Sequence, residues 1–123
     1  SPAFLTDLEN KLKKARDASG FRFLMIDGPC PPGHKHDPDI SIQLARLAVE
    51  TNYYPLFEAE NGRFRITHMP EENVPVSEYM KLQGRFAQLF SDDPSNGLTT
   101  IQRQVDEQWQ RLLDKQQYEN ART

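Results

Sequence analysis

The chain has 123 residues, 37% of them hydrophobic, with a mean hydropathy of −0.76 and a formal net charge of −3. That is one domain's worth of polypeptide around a lean core, and its slight acidity argues against a general nucleic-acid or membrane-surface binder. No apolar run is long enough to span a bilayer and no basic-then-apolar leader opens the chain. The single cysteine, Cys30, cannot form an intrachain disulfide, which points to a reducing, cytoplasmic setting.

In chain order, Thr6 to Ser19 reads as an amphipathic helix. Leu5, Leu8, Leu12 and Ala15 recur at helical spacing, Thr6 and Glu9 have the spacing of a capping box, and Gly20 supplies a stop. Phe21 to Asp27 is apolar at nearly every position, the pattern of a short strand buried on both faces. A Gly/Pro loop follows from Gly28 to Gly33. Asp37-Pro38 then opens a helix to about Thr51, with Asp as cap and Pro in the first turn. Tyr54 to Glu60 and Arg63 to His68 flank Asn61-Gly62, a strong signal for a hairpin with a type I′ turn.

Met69 to Pro75 is a linker. Ser77 caps a predicted helix to about Phe90, presenting Tyr79, Leu82, Phe86 and Leu89. Ser91 to Gly97 is a turn-rich break. Leu98 to about Gln116 is a last helix with Ile101, Val105, Trp109, Leu112 and Leu113 along one stripe, and the polar tail after Gln117 should fray. The first half thus reads as the last βα unit of a parallel α/β sheet, followed by a β-hairpin and two C-terminal helices. So short a chain offers those helices little to pack on, so exposed apolar surface and a partner are expected.

The residues that could carry chemistry are few. Cys30 lies in Gly28-Pro29-Cys30-Pro31-Pro32-Gly33, and flanking prolines hold a thiol rigidly because each ring fixes its own φ and restricts the residue before it. Such a sulfur suits a metal or cluster ligand or a poised nucleophile; it equally suits a buried cysteine in a tight turn. Cys30, His34 and His36 are a conceivable zinc set, but histidines two apart point opposite ways in an extended segment. Glu50, Glu58 and Glu60 could be acid/base carboxylates. On a hairpin, however, Arg63 and Arg65 would pair with Glu58 and Glu60 across the strands. The basic face of the first helix (Lys11, Lys13, Lys14, Arg16) reads as solvated, and His68 as an ordinary surface residue. No glycine-rich phosphate loop, Gly-x-Ser-x-Gly elbow or His-Glu-x-x-His helix is present.

A linear series of blocks adds to this reading. After the lysine-rich first helix come Gly28 to Gly33, Asp37-Pro38, Ala45 to Thr51, Pro55-Leu56-Phe57-Glu58 and Glu60-Asn61-Gly62. Then come Pro75-Val76, Tyr79, Lys81-Leu82-Gln83-Gly84-Arg85-Phe86, and Ile101, Val105, Asp106 and Trp109. In this order they resemble the C-terminal third of the beta subunit of 2-oxoacid:ferredoxin oxidoreductases, pyruvate synthase in particular, over nearly the whole chain to about Leu113.

The resemblance implies that residues 1–53 close a thiamine-binding, parallel-sheet α/β domain and that residues 54–123 form a hairpin and two-helix extension. It implies oxidative decarboxylation of pyruvate or a similar 2-oxoacid with coenzyme A, electrons passing to ferredoxin. The cofactors implied are thiamine diphosphate and Mg²⁺, held outside this chain, and a 4Fe-4S iron–sulfur cluster. Cys30 matches the last cluster cysteine of the family; the partners would be the rest of the beta subunit, the alpha, gamma and delta subunits or domains, and ferredoxin. One departure is His34, where the family commonly has an aromatic residue. The chain also lacks the other cluster cysteines and the Gly-Asp-Gly type motif for Mg²⁺ and diphosphate, so it is expected to be inactive alone. The competing reading from another class is a non-catalytic interaction module in which Cys30 only packs.

Overall fold

The computed structural model describes residues 1–92 and 97–122 and is an α/β arrangement of helices around one small antiparallel sheet. Helix α1, Leu5–Asp17, follows the predicted amphipathic pattern. The capping box is not formed: Phe4 occupies the cap without a side-chain bond, and Glu9 instead reaches Lys13 one turn on at 2.8 Å. No residue of α1 is buried. The helix is fastened by its basic face, where Lys14 pairs with Glu58 and Lys11 donates to the Thr67 hydroxyl at 2.9 Å. That face is therefore partly engaged, not simply solvated.

The segment Phe21–Asp27 corrects the sequence reading. It forms no strand, and Phe21 to Ile26 are exposed, Phe21 by 91%, Phe23 by 72% and Met25 by 70%. A strand's backbone groups need neighbours on its edges. Among the described residues the sheet consists of two other strands, so nothing here completes a ladder for residues 21–27. The segment is tied down locally: the Arg22 guanidinium donates to the carbonyls of Ala15 and Ala18.

Helix α2 is a single turn, Pro31–His34. Pro38 opens a 3-10 turn to Ile40, and helix α3 follows at Ser41–Glu50. Asp37 precedes that turn as expected but makes no side-chain cap. Leu44, Ala45, Ala48 and Val49 are the buried face of α3.

The hairpin is the one predicted: β1, Phe57–Glu60, pairs antiparallel with β2, Arg63–Ile66, in the register Glu58↔Arg65 and Glu60↔Arg63. Asn61 and Gly62 take φ values of 52° and 77°, the left-handed conformations the tight turn requires. Phe64 and Ile66 are buried, and Lys115 from the last helix lies over the Phe64 ring at 5.0 Å.

The helix expected over Ser77–Phe90 is broken. Helix α4 covers only Val76–Met80, with Pro75 rather than Ser77 at its cap, and a 3-10 run occupies Gly84–Phe90. The cause is Gln83. Its backbone is extended (φ −120°, ψ 120°), and its buried side-chain amide donates to the Tyr79 carbonyl at 3.0 Å. A continuing α-helix would satisfy that carbonyl with the Gln83 backbone N–H. Of the turn-rich break at Ser91–Gly97, residues 93–96 lie outside those described.

Helix α5, Leu98–Arg122, runs past the point where fraying was expected; Glu119 near its end is buried and pairs with Arg122 at 3.3 Å. The main core cluster joins Leu44 and Ala48 of α3, Val76, Tyr79 and Met80 of α4, and Val105 of α5. No helix among the described residues is long and apolar enough to cross a membrane.

Candidate functional site

Cys30 sits at the entry to α2 with an extended backbone (φ −122°, ψ 95°) set by its proline neighbours. The turn is closed by its own backbone. The carbonyl of Cys30 accepts from the His34 N–H at 2.7 Å, and that of Pro31 accepts from Lys35 and from His36, the latter at 3.1 Å. Lys35 takes φ 58° to end the turn. The Cys30 N–H donates to His34 Nδ1 at 3.3 Å. Burial, then the positive charge of Arg85 and the neighbouring His36, push the His34 imidazole below its ordinary value. The shift favours the neutral ring, the form in which Nδ1 can accept the Cys30 N–H.

The sulfur itself is open. Cys30 is exposed, and a Cβ at Gly33 would lie 3.0 Å from Sγ. Glycine at 33 keeps that flank of the thiol clear. An exposed, conformationally fixed thiol with a vacant flank fits a thiolate that donates to an iron–sulfur cluster. One thiol supplies one ligand, so the rest of any cluster shell must come from other polypeptide.

The zinc set is not assembled. His36 turns Nδ1 toward the Asp37 carbonyl at 2.9 Å, and the rings of His34 and His36 have centroids 6.4 Å apart. Among the described residues no three His, Cys, Asp or Glu side chains come together as a metal site.

The three glutamates are likewise dispersed. Glu58 accepts from Arg65 at 2.7 Å and also pairs with Lys14; burial raises its carboxyl, but these bonds outweigh burial and hold it below the ordinary carboxylate value. Glu50 pairs with His68 at 3.0 Å. Glu60 is exposed. His68 is more than a surface residue: it is half-buried and its ring lies 4.6 Å from that of Phe4. Glu58 pairs α1 with the hairpin and Glu50 pairs α3 with His68 just after β2.

Three residues near the cysteine turn carry roles that composition did not signal. Gly84 donates its N–H to the Lys35 carbonyl at 2.8 Å, and Gln83 and Arg85 beside it are bonded to each other at 2.8 Å. The only hint in sequence was Gln83-Gly84 interrupting an otherwise helical stretch.

No protein-family model matches the chain. It is 45% identical over 115 residues to the ketoisovalerate oxidoreductase subunit VorB of Pyrococcus furiosus, an alignment covering 91% of this chain and 35% of that protein. It is 42% identical over 101 residues to the pyruvate synthase subunit PorB of Methanocaldococcus jannaschii, covering 82% and 33%. Over 108 residues it is 39% identical to PorB of Thermotoga maritima, covering 87% and 33%. The chain therefore spans about a third of the length of the curated relatives it matches.

Proposed function

We propose that this chain, homologous over most of its length to beta subunits of 2-oxoacid:ferredoxin oxidoreductases, forms part of such an enzyme and supplies one ligand, Cys30, to its iron–sulfur cluster. The observation that carries the reading is the alignment, 36–45% identical across relatives that all belong to such oxidoreductases. The open thiol at Cys30 supports it locally. The overall reaction is oxidative decarboxylation of a 2-oxoacid of the pyruvate or ketoisovalerate kind with coenzyme A, electrons leaving to ferredoxin. A bound cluster supplies one-electron transfer, and thiamine diphosphate with Mg²⁺ is held by polypeptide outside this chain.

In this reading residues 1–53 complete a thiamine-binding α/β domain. Phe21–Ile26 is a strand of its parallel sheet, buried on both faces when its neighbours are present; its apolar sequence and its exposure here both support this. Residues 54–123 form the extension that packs against the other subunits. This chain's residues fix the sulfur and keep its flank open; the prolines and the His34 acceptor hold the thiolate in place with little reorganisation.

The test is the assembled enzyme containing this chain, wild type and Cys30→Ser, compared by iron content and by the electron paramagnetic resonance of the reduced clusters. Loss of one cluster signal in the variant is the expected result. An unchanged iron content and spectrum would mean that Cys30 only packs.

A further inference from the structure

We propose that Gly84 is a positioning residue for Cys30, the point through which the C-terminal extension braces the cysteine turn; this rests on the reading of Cys30 as a cluster ligand. Gly84 and Lys35 touch through their backbones: the Gly84 N–H donates to the Lys35 carbonyl at 2.8 Å. A Cβ at position 84 would lie 2.7 Å from Lys35 Cβ and 3.2 Å from the Lys35 carbonyl oxygen. Gly84 does not take a left-handed φ. Glycine is needed there for the close approach, not for its conformational freedom.

Each end of this contact is fixed. On one side Lys35 ends α2 in a left-handed conformation, with its N–H on the Pro31 carbonyl, and the His34 N–H closes on Cys30 itself. On the other side Gln83 is buried and bonded to the Tyr79 carbonyl. Arg85 donates to the Gln83 side chain at 2.8 Å and to the Tyr79 hydroxyl at 3.2 Å. Tyr79 belongs to the core cluster. A continuous chain of bonds thus runs from the core through Tyr79, Gln83, Gly84 and Lys35 to the residues that carry the sulfur. Gly28, Pro32, Gly33 and Lys35 are exposed while Pro29, Pro31, His34 and His36 are half-buried, so the brace adds a backbone restraint to a turn that is only partly packed. A ligand held this way keeps its place when the cluster changes charge.

The experiment uses the assembled enzyme with three changes in this chain: Cys30→Ser, Gly84→Ala, and Gly84→Ala combined with Lys35→Gly. The readouts are the resonance signal of the Cys30 cluster and the rate at which a chelator removes its iron. Gly84→Ala should shift the signal and speed iron loss several-fold. Lys35→Gly should restore most of both, because it removes the clashing Cβ, leaving only the 3.2 Å approach to the Lys35 carbonyl, and glycine suits φ 58°. A Gly84→Ala enzyme with wild-type signal and chelation rate, when Cys30→Ser abolishes the cluster, overturns the brace and leaves the ligand reading standing. A double variant with no recovery at all, assembly included, also overturns it, since the 2.7 Å contact with the Lys35 side chain is then not the cause of the defect. No effect of Cys30→Ser overturns the ligand reading itself.

Discussion

The hydroxyl of Tyr54 donates a hydrogen bond to the carbonyl oxygen of Met25 at 3.0 Å. It pins the middle of an apolar segment whose side chains otherwise face outward. Phe21 and Phe23 stand 91% and 72% exposed, so they contribute little to the chain's own stability. Replacing both by serine should leave the unfolding free energy of the 123-residue chain, measured by urea titration, within about 0.5 kcal/mol of wild type, while its binding of an apolar fluorescent dye falls. In the assembled enzyme the same change should weaken association, because fully burying each phenylalanine is worth roughly 1.5–3 kcal/mol. Co-purification with the rest of the enzyme reads the second effect. A marked loss of stability in the chain alone would show that the segment already packs within it.

Acid should loosen α1 from the hairpin. Burial raises the carboxyls of Asp7 and Glu58, but hydrogen bonds outweigh it, from Lys11 and Thr67 at Asp7 and from Lys14 and Arg65 at Glu58. Both carboxyls are held below their ordinary values. A carboxyl depressed on folding stabilises the fold fully above its unfolded value, near pH 4 to 4.5, and that contribution is lost as pH falls through the folded value. Partly exposed pairs of this kind are worth about 0.2–1 kcal/mol each. Urea midpoints at pH 7 and pH 3 should therefore differ less in Asp7→Asn/Glu58→Gln than in wild type. Equal pH dependence in the two would remove these carboxyls from the account.

What the sequence made legible was what neighbouring residues decide among themselves. Asn61-Gly62 fixed the hairpin and its register because left-handed φ values there are a local demand, met at 52° and 77°. The stripe on α5 placed Val105 in the core by periodicity alone. The misreadings arose where a side-chain or backbone contact that the spacing does not show outweighed the local pattern. Tyr79 to Phe86 has helical spacing, yet Gln83 caps the Tyr79 carbonyl with its side chain and Gly84 turns to meet Lys35, 49 positions earlier in the chain. Thr6 and Glu9 have capping spacing, yet Glu9 is drawn to Lys13. At the candidate site, the rigidity of Cys30 follows from its prolines, whereas the open flank at Gly33 and the brace at Gly84 depend on distances no linear pattern carries.

Two glutamines on α5 act as fasteners, and they are separable from its apolar stripe. Gln102 Oε1 accepts the Val76 N–H at 2.8 Å at the start of α4, and Gln116 Oε1 accepts the Ile66 N–H at 2.6 Å on β2. They lie 14 positions apart, close to four helical turns, so both project from the same side of α5. Removing either acceptor strands a buried or half-buried backbone donor, which costs about 1–3 kcal/mol. Gln116→Ala should lower the urea midpoint accordingly and speed hydrogen exchange at the Ile66 amide. Gln116→Glu keeps an oxygen in place and should retain most of the protection, because only the acceptor is required at Ile66. Gln102→Ala should act on the Val76 amide instead and leave Ile66 protected, since the two bonds lie at opposite ends of the contact that α5 makes with α4 and the hairpin. Equal exchange at Ile66 in wild type and Gln116→Ala would mean that apolar packing of Phe64 and Ile66, not this bond, holds β2 to the helix.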